Sequence, residues 1–280
     1  MLTLLEQSGK KIKLYSVLAI AVTVIAIILR TCCLLWFYDE DIGYYSNSIL
    51  PWVFNVFCAL AVIFFASTLF TVKPEDEMSD GKEDNVALKI SSAVAMLAFV
   101  FFFVFSIVSR SLVTGNTFFD LASKLSALMS IAYFAMNMFS PHTNRTAQTA
   151  LGFGVIIWGV CTLGITYFDV YVQINSPDKT MLHLALLGAM AFFVGEFRCF
   201  VRNMRRKIYV FSMLCAVFLL GTASVPSLVV YLCGRASGKI YIFYNVVLFA
   251  IFVYALARLV SFAFFANEAE GEELEEEKMP

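Results

Sequence analysis

Charged residues are scarce in this 280-residue chain. Only 15% of the residues are Asp, Glu, Lys or Arg, whereas 60% are apolar, and the mean hydropathy is +0.81. Ordinary soluble proteins are about a quarter charged and less than about half apolar. The composition therefore excludes a soluble catalytic domain and predicts an integral membrane protein.

Motifs for known chemistry are also lacking. The two histidines, His142 and His183, fall near opposite membrane faces in the topology described below, which excludes the usual bis-histidine haem. A retinal-type Schiff base needs a lysine in a late helix, where this chain has Arg258, a group that keeps its proton. The chain has neither a P-loop, nor a nucleophilic serine elbow, nor the His-Glu-His pattern of zinc proteases. The sequence thus predicts no cofactor and no metal site, and it disfavours an enzyme.

A disulfide framework is not indicated either. The number of cysteines is odd, they form no CxxC pair, and all fall in or at the edge of apolar runs. These features predict that the cysteines are small packing residues and do not form disulfide bonds. The seven cysteines are Cys32, Cys33, Cys58, Cys161, Cys199, Cys215 and Cys233.

What the chain does have is eight long apolar runs. A hydrocarbon core about 30 Å thick needs about 20 helical residues, and each buried amide must be satisfied within its own segment. The runs therefore predict an all-α, polytopic helical bundle over residues 1–266. The fourth run is the weakest because it contains Asp120 and Lys124, and without it the count falls to seven. The predicted spans are 15–37, 48–72, 88–109, 118–139, 147–170, 180–201, 208–232 and 240–266.

The basic residues predict the orientation of these spans. If the amino terminus is cytoplasmic, thirteen Lys and Arg residues flank the cytoplasmic helix ends and four flank the outer ends. Such an imbalance is typical of the positive-inside rule. The first run continues past the length of a secretory signal, so we interpret it as an uncleaved anchor. The sequence predicts a protein of the plasma membrane or an equivalent bilayer, with both termini cytoplasmic.

The last fourteen residues differ from the rest in charge. Residues 267–280 hold seven Glu and one Lys, a net charge of −6, whereas residues 1–266 carry 19 bases against 14 acids, or +5. A run of like charges repels itself and has nothing apolar to bury, so a disordered acidic tail is predicted. The tail could dock a protein partner. The basic surplus lies in short loops beside apolar runs, where it orients helices, so no nucleic-acid partner is implied.

One layer of ionisable residues is predicted near the outer face. Each such group is costly inside a bilayer and raises the question of its partner. In a functional interpretation, the layer is a polar site open to the outside. Arg30 and Lys124 bind an anion there, or Asp120 and Asp169 bind a cation. In a structural interpretation, Arg30 snorkels outward or pairs with Asp169, and Asp120 pairs with Lys124 four residues later. The layer contains Arg30, Asp120, Lys124, Asp169 and His183.

A second layer of charge is predicted toward the cytoplasm. Glu196 lies sixteen residues into the sixth run, and Arg258 lies about eight residues from the inner end of the eighth, at a comparable depth. An ion pair between them would clamp the two helices together. A proton-relay role is the alternative.

The seventh run contains a predicted kink or short break in the sequence GTASVPS. Pro226 removes one helical hydrogen bond, while Gly221, Thr222 and Ser224 are small or carry hydroxyls that can satisfy the freed carbonyls. Broken helices at mid-membrane bind substrate in many transporters, although kinks also occur in helices that merely pack.

Two functions from different classes fit these features. The first is a small transporter or permease-like protein, indicated by eight spans, two charged layers and a breakable seventh span. The second is a non-catalytic membrane subunit, scaffold or sensor that acts through its cytoplasmic loops and acidic tail. An internal duplication would favour transport, but the first four and last four spans show no convincing match by eye.

Overall fold

The computed structural model confirms an all-α, multi-pass membrane bundle. Eight of its helices are long and apolar enough to cross a bilayer, including the fourth predicted run, which forms a helix of 23 residues. The predicted spans differ from these helices by no more than four residues at either end. The structure describes residues 2–39, 42–71, 85–108, 117–139, 145–173, 175–200, 206–235 and 241–264. The acidic tail at 267–280, His142 and most of the loop at 73–87 lie outside these residues.

The second span and the loop before it need a separate description. The second span is made of two helices, because the first of them ends at Ala66 and a short one begins at Thr68. A two-stranded hairpin joins the first span to the second, with Tyr38 opposite Tyr45. The elements are α1 Leu2–Trp36, β1 Tyr38–Asp39, β2 Tyr44–Tyr45, α2 Ile49–Ala66, α3 Thr68–Thr71, α4 Val86–Val108, α5 Thr117–Phe139, α6 Arg145–Tyr167, α7 Pro177–Phe200, α8 Arg206–Leu232 and α9 Ile242–Phe264.

Six of the helices form a closed ring. Each helix from α4 to α9 packs against the next, and α9 returns to pack against α4. Helix α1 lies outside this ring against α8, and α2 packs against α1. The Lys13 Nζ atom lies 5.7 Å from the centre of the Phe264 ring, so α1 begins at the end of the bundle where α9 stops. We call this end the terminal side and the opposite end the distal side. Which compartment each faces remains a prediction.

Aromatic side chains fill the centre of the ring. Trp158 on α6 reaches α4, where its ring centre lies 5.2 Å from that of Phe99. Tyr254 on α9 meets both Phe134 on α5, at 5.3 Å, and Phe193 on α7, at 6.1 Å. Edge-to-face and stacked contacts of this kind stabilise buried rings beyond their area. The centre is therefore closed by side chains from five helices.

Small residues let neighbouring helices of the ring approach closely. At Gly154 on α6, an added Cβ would lie 2.5 Å from the Met129 Cβ atom and 2.9 Å from the Ser126 carbonyl of α5. Gly195 on α7 approaches Tyr209 of α8 in the same way, at 2.9 Å. Close packing through small residues replaces the hydrophobic effect as the cohesive force between helices in lipid.

Candidate functional site

Arg30 is the most deeply buried cation among the intramembrane residues predicted from sequence. Its side chain is 1% exposed, and its Nη2 atom lies 2.9 Å from Asp178 Oδ1 at the start of α7. The predictions that Arg30 snorkels or pairs with Asp169 are therefore wrong. The reason is that α7 begins at Pro177, three residues before the predicted span, which places Asp178 in its first turn.

The same guanidinium also binds the backbone of α8 next to Pro226. Proline has no N–H, so the carbonyl four residues earlier, that of Thr222, loses its helical partner. The Arg30 Nη1 atom donates to the Thr222 carbonyl at 2.8 Å and to the Ala223 carbonyl at 3.1 Å. Arg30 thus joins α1 to α7 and α8 from outside the ring. We call Arg30, Asp178 and the Thr222 and Ala223 carbonyls the distal brace.

The predicted short break in the seventh span is absent. Helix α8 is continuous from Arg206 to Leu232 with Pro226 inside it. Hydroxyls bond within the helix, from Ser224 Oγ to the Leu220 carbonyl at 2.6 Å and from Ser227 Oγ to the Ala223 carbonyl at 2.9 Å. The carbonyl freed by the proline is satisfied by an arginine from another helix, which lets α8 continue.

Glu196 occupies the terminal third of the ring, between α7, α8 and α9. Its side chain is 1% exposed, and Arg258 Nε lies 3.1 Å from its Oε1 atom. Tyr209 donates its hydroxyl to Oε2 at 2.7 Å, and Tyr254 donates to Oε1 at 3.3 Å. Both carboxylate oxygens therefore accept hydrogen bonds. We call these four residues the terminal closure.

Three donors hold the Glu196 carboxylate in position. Hydrogen bonds to an ionised acceptor are about twice as strong as those between neutral groups. Arg258, by contrast, is 20% exposed and can extend its guanidinium toward the aqueous boundary. The acid is thus the fixed partner of the pair and the base is the movable one.

Asp169 forms a second link across the ring, on the distal side. Its Oδ2 atom accepts the Tyr241 hydroxyl at 2.9 Å, and its Oδ1 atom accepts the Tyr171 N–H at 2.9 Å. Asp169 follows α6 and Tyr241 precedes α9, and these two helices are not neighbours in the ring. Their contact therefore spans the distal mouth. We call the Asp169–Tyr241 contact the distal latch.

Tyr241 is held in an unusual state by this contact. It has a φ of 59°, the left-handed conformation, which no other non-glycine residue in the described ranges adopts. Such a conformation costs about 1–3 kcal/mol and persists only where the surroundings hold it. Burial, followed by the hydrogen bond to Asp169, raises the pKa of the Tyr241 hydroxyl above its ordinary value. The hydroxyl therefore stays protonated and remains a donor at physiological pH.

The other distal residues are paired locally. Lys124 Nζ lies 2.6 Å from Asp120 Oδ2, one helical turn away. His183 Nε2 and Thr166 Oγ1 are 2.9 Å apart, which joins α7 to α6. The structure brings Asp169 and His183 to the distal end of the ring, while Arg30 lies apart in the brace.

Several buried polar atoms of the ring helices have no hydrogen-bond partner in the described part of the chain, and two of them lie on α6. These two are the Trp158 Nε1 atom and the Thr162 Oγ1 atom. The residues are four apart on α6, so they share a face, and both are at most 1% exposed. Thr166, which binds His183, continues this stripe by one more turn toward the distal side. A polar stripe thus runs along α6 between the two levels at which the ring is closed.

The stripe has a counterpart on the terminal side. Gln148 on α6 donates its Nε2 atom to Asn137 Oδ1 on α5. The Asn137 Nδ2 atom is buried and, among the described residues, unpaired. Polar groups of the ring therefore recur along α6 from its terminal half to its distal end.

Sequence reasoning missed several of these residues. Asp178 lies just before the predicted span 180–201, although Ser176 followed by Pro177 is the signature of a helix start. In the structure Ser176 Oγ accepts the Lys179 N–H at 3.3 Å. Tyr209 and Tyr241 could not be singled out, because twelve tyrosines occur in the chain and only the helix packing selects these. Within the described ranges, no cluster of three or more His, Cys, Asp or Glu is arranged to hold a metal ion.

Comparison with known proteins adds no relative. No protein-family model matches the chain, and searches of curated proteins and of solved structures give no match.

Proposed function

We propose that this chain is a transporter or permease-like protein whose solute path runs through the centre of the six-helix ring. The observation that carries the proposal is the pair of unpartnered polar atoms, Trp158 Nε1 and Thr162 Oγ1, buried inside the ring. They lie between a charged closure on the terminal side and a polar latch on the distal side. Arg30, outside the ring, braces the scaffold.

The free energy that is lost by burying these two atoms without hydrogen-bond partners supports a functional role. A buried donor without a partner costs about 1–3 kcal/mol relative to one exposed to water. An apolar residue of similar shape at position 162 would avoid this cost in the packed state. A state in which water or solute enters the ring would satisfy both atoms. Their retention is therefore explained by a path that opens.

The two closures cross the ring at its opposite ends. On the terminal side, Glu196 of α7 contacts Tyr254 of α9, and on the distal side Asp169 contacts Tyr241. Each contact joins helices that are not adjacent in sequence and can be broken without dismantling the ring. This is the arrangement that alternating access requires, because one closure can open while the other holds.

The direction of the helices also supports transport. Helices α4 to α6 form one half of the ring and α7 to α9 the other, with three crossings each. An odd number of crossings makes the second half run opposite to the first. Opposite direction of the two halves is one feature of the inverted repeats that recur among secondary transporters, and it is the feature that the helix order of this chain shares with them.

Solute flux into proteoliposomes tests the proposal. Vesicles holding the purified protein are subjected to osmotic shock with urea, glycine, methylammonium chloride or sodium phosphate, and reswelling is followed by light scattering. At least one solute should enter several-fold faster than into protein-free vesicles. The variant Thr162→Phe, which fills the centre of the ring, should return this rate to the background.

Val160→Phe is the matched control, because Val160 lies on the same helix and is 51% exposed toward lipid. It should keep the flux, and equal loss in both variants would contradict a central path. A chain ending at Ala266 should also keep the flux. Its loss on removal of residues 267–280 would instead favour the alternative, a subunit that acts through its acidic tail.

A further inference from the structure

A groove lies on the outer surface of the ring between α7 and α8, on the terminal side. It is shallow, with a cavity volume of about 50 Å³. It exists because Gly195 has no side chain, so Tyr209 and Ser212 of α8 form its floor; an added Cβ would lie 2.9 Å from Tyr209 Cδ2. The groove is lined by Ala191, Val194, Gly195, Ile208, Tyr209 and Ser212, with Arg198 beside them.

The mouth of the groove faces the bilayer. Val194 and Ile208 on its two walls are 46% and 37% exposed, and Ala191 is exposed as well. All belong to helices that cross the membrane, so their exposed surfaces meet acyl chains rather than water. A soluble peptide therefore has no access, whereas an acyl chain does.

Positive charge lies at the boundary end of the same groove. Arg198 is exposed in the last turn of α7, and Lys207 follows in the first turn of α8. Neither makes an ion pair with a carboxylate among the described residues. An arginine at a helix end near the headgroups binds phosphate oxygens through its planar fork. The groove thus joins an apolar wall to a phosphate-binding rim.

We infer that this groove is a binding site for an anionic phospholipid, with an acyl chain along Ala191 and Val194 and the phosphate at Arg198. Anionic lipid is favoured over zwitterionic lipid because Arg198, which lines the groove, is a cation with no carboxylate paired to it among the described residues. The site does not depend on transport. It is nevertheless coupled to the terminal closure, because Tyr209, whose ring forms part of the groove floor, donates its hydroxyl to Glu196.

Native mass spectrometry tests this site. The protein is equilibrated with equal amounts of phosphatidylglycerol and phosphatidylcholine in micelles, and the lipids that remain bound are counted. The wild type should retain phosphatidylglycerol in preference to phosphatidylcholine. Arg198→Gln should weaken retention about fivefold, the effect of about 1 kcal/mol for one basic residue near a membrane surface. Ala191→Phe, which fills the groove, should also reduce it.

The controls separate the groove from general effects. Lys11→Gln removes an exposed charge on the same side, and Ala21→Phe enlarges an exposed residue on α1; both should retain phosphatidylglycerol like the wild type. Unchanged retention in Arg198→Gln and Ala191→Phe would overturn the site. So would equal retention of the two lipids by the wild type, or a dimer that covers the groove and excludes lipid.

Discussion

Replacing Arg30 with methionine should lower the free energy of unfolding by about 3–5 kcal/mol. The substitution keeps an unbranched, flexible side chain but removes the guanidinium, which leaves Asp178, 13% exposed, without its cation. It also removes the donor from the carbonyls of Thr222 and Ala223. Equilibrium unfolding of the purified protein in mixed detergent micelles measures the loss.

A double-mutant cycle with Pro226→Ala isolates the contribution of the proline. Alanine restores an N–H that can bond to the Thr222 carbonyl, so Arg30→Met should cost about 1 kcal/mol less in that background. Adding Asp178→Asn to Arg30→Met should recover part of the stability, because no uncompensated carboxylate then remains.

Arg235→Met is the matched control for the brace. Arg235 is exposed, and one of its guanidinium N–H groups donates to the Leu35 carbonyl at 3.3 Å, so its loss should cost less than about 0.5 kcal/mol. A similar small cost for Arg30→Met would show that the distal brace does not hold α1 to the ring.

Replacing Glu196 with glutamine should both destabilise the protein and open the terminal side of the ring. The loss of stability should be about 3 kcal/mol, the lower end of the range for a broken buried ion pair, because Arg258 is 20% exposed and can turn to water. If the substitution destabilises the closed state by about 1.4 kcal/mol relative to the open state, the fraction of folded protein that is open on the terminal side rises tenfold. Solute flux into proteoliposomes should rise accordingly, while folded yield falls.

Two comparisons show whether the charge is responsible. Tyr209→Phe removes one donor from Glu196 and should cost about 1 kcal/mol with a smaller rise in flux. The double variant Glu196→Gln with Arg258→Gln should be less destabilised than the sum of the single variants. Reduced stability with unchanged flux would make the pair a structural clamp, and full stability with abolished flux would instead favour a proton relay.

The number and depth of the spans could be predicted because the bilayer imposes both. A fixed hydrocarbon thickness sets helix length, so apolar runs alone locate eight crossings. Depth along the helices also suffices to bring Glu196 and Arg258 to the same level, and a spacing of four suffices for Asp120 and Lys124. These inferences use only distances along a helix.

The partners across helices could not be predicted from depth. Arg30 pairs with Asp178 because α7 begins at Pro177. Asp169 pairs with Tyr241 because the ring brings the end of α6 and the start of α9 together at its distal mouth. Both facts depend on rotation of each helix about its axis and on the order of helices around the ring. An apolar run of 22 to 27 residues contains little information on either, since lipid and packed helices present similar surfaces.

The effect of Pro226 shows the same limit. The sequence identifies a carbonyl that must lose its helical partner, and it offers nearby hydroxyls to replace it. In the structure the Ser224 and Ser227 hydroxyls bond to other carbonyls of α8, and the Thr222 hydroxyl has no partner among the described residues. The donor comes from Arg30, 192 residues away in the chain. A local rule thus predicts which carbonyl loses its helical donor, but not which residue donates to it instead.

Reaction of a cysteine at position 162 is the most direct measurement of a path through the ring. Thr162→Cys is nearly isosteric and is placed in a variant whose seven native cysteines are replaced; Val160→Cys, which faces lipid, is the control. Thiols react as thiolates in water, so a charged, membrane-impermeant methanethiosulfonate should modify position 162 in proteoliposomes and leave position 160 unmodified. Modification at 162 should be faster when Glu196 is also replaced with glutamine. A cysteine at 162 that stays as inert as the one at 160, with either residue at 196, would contradict a solute path through the ring.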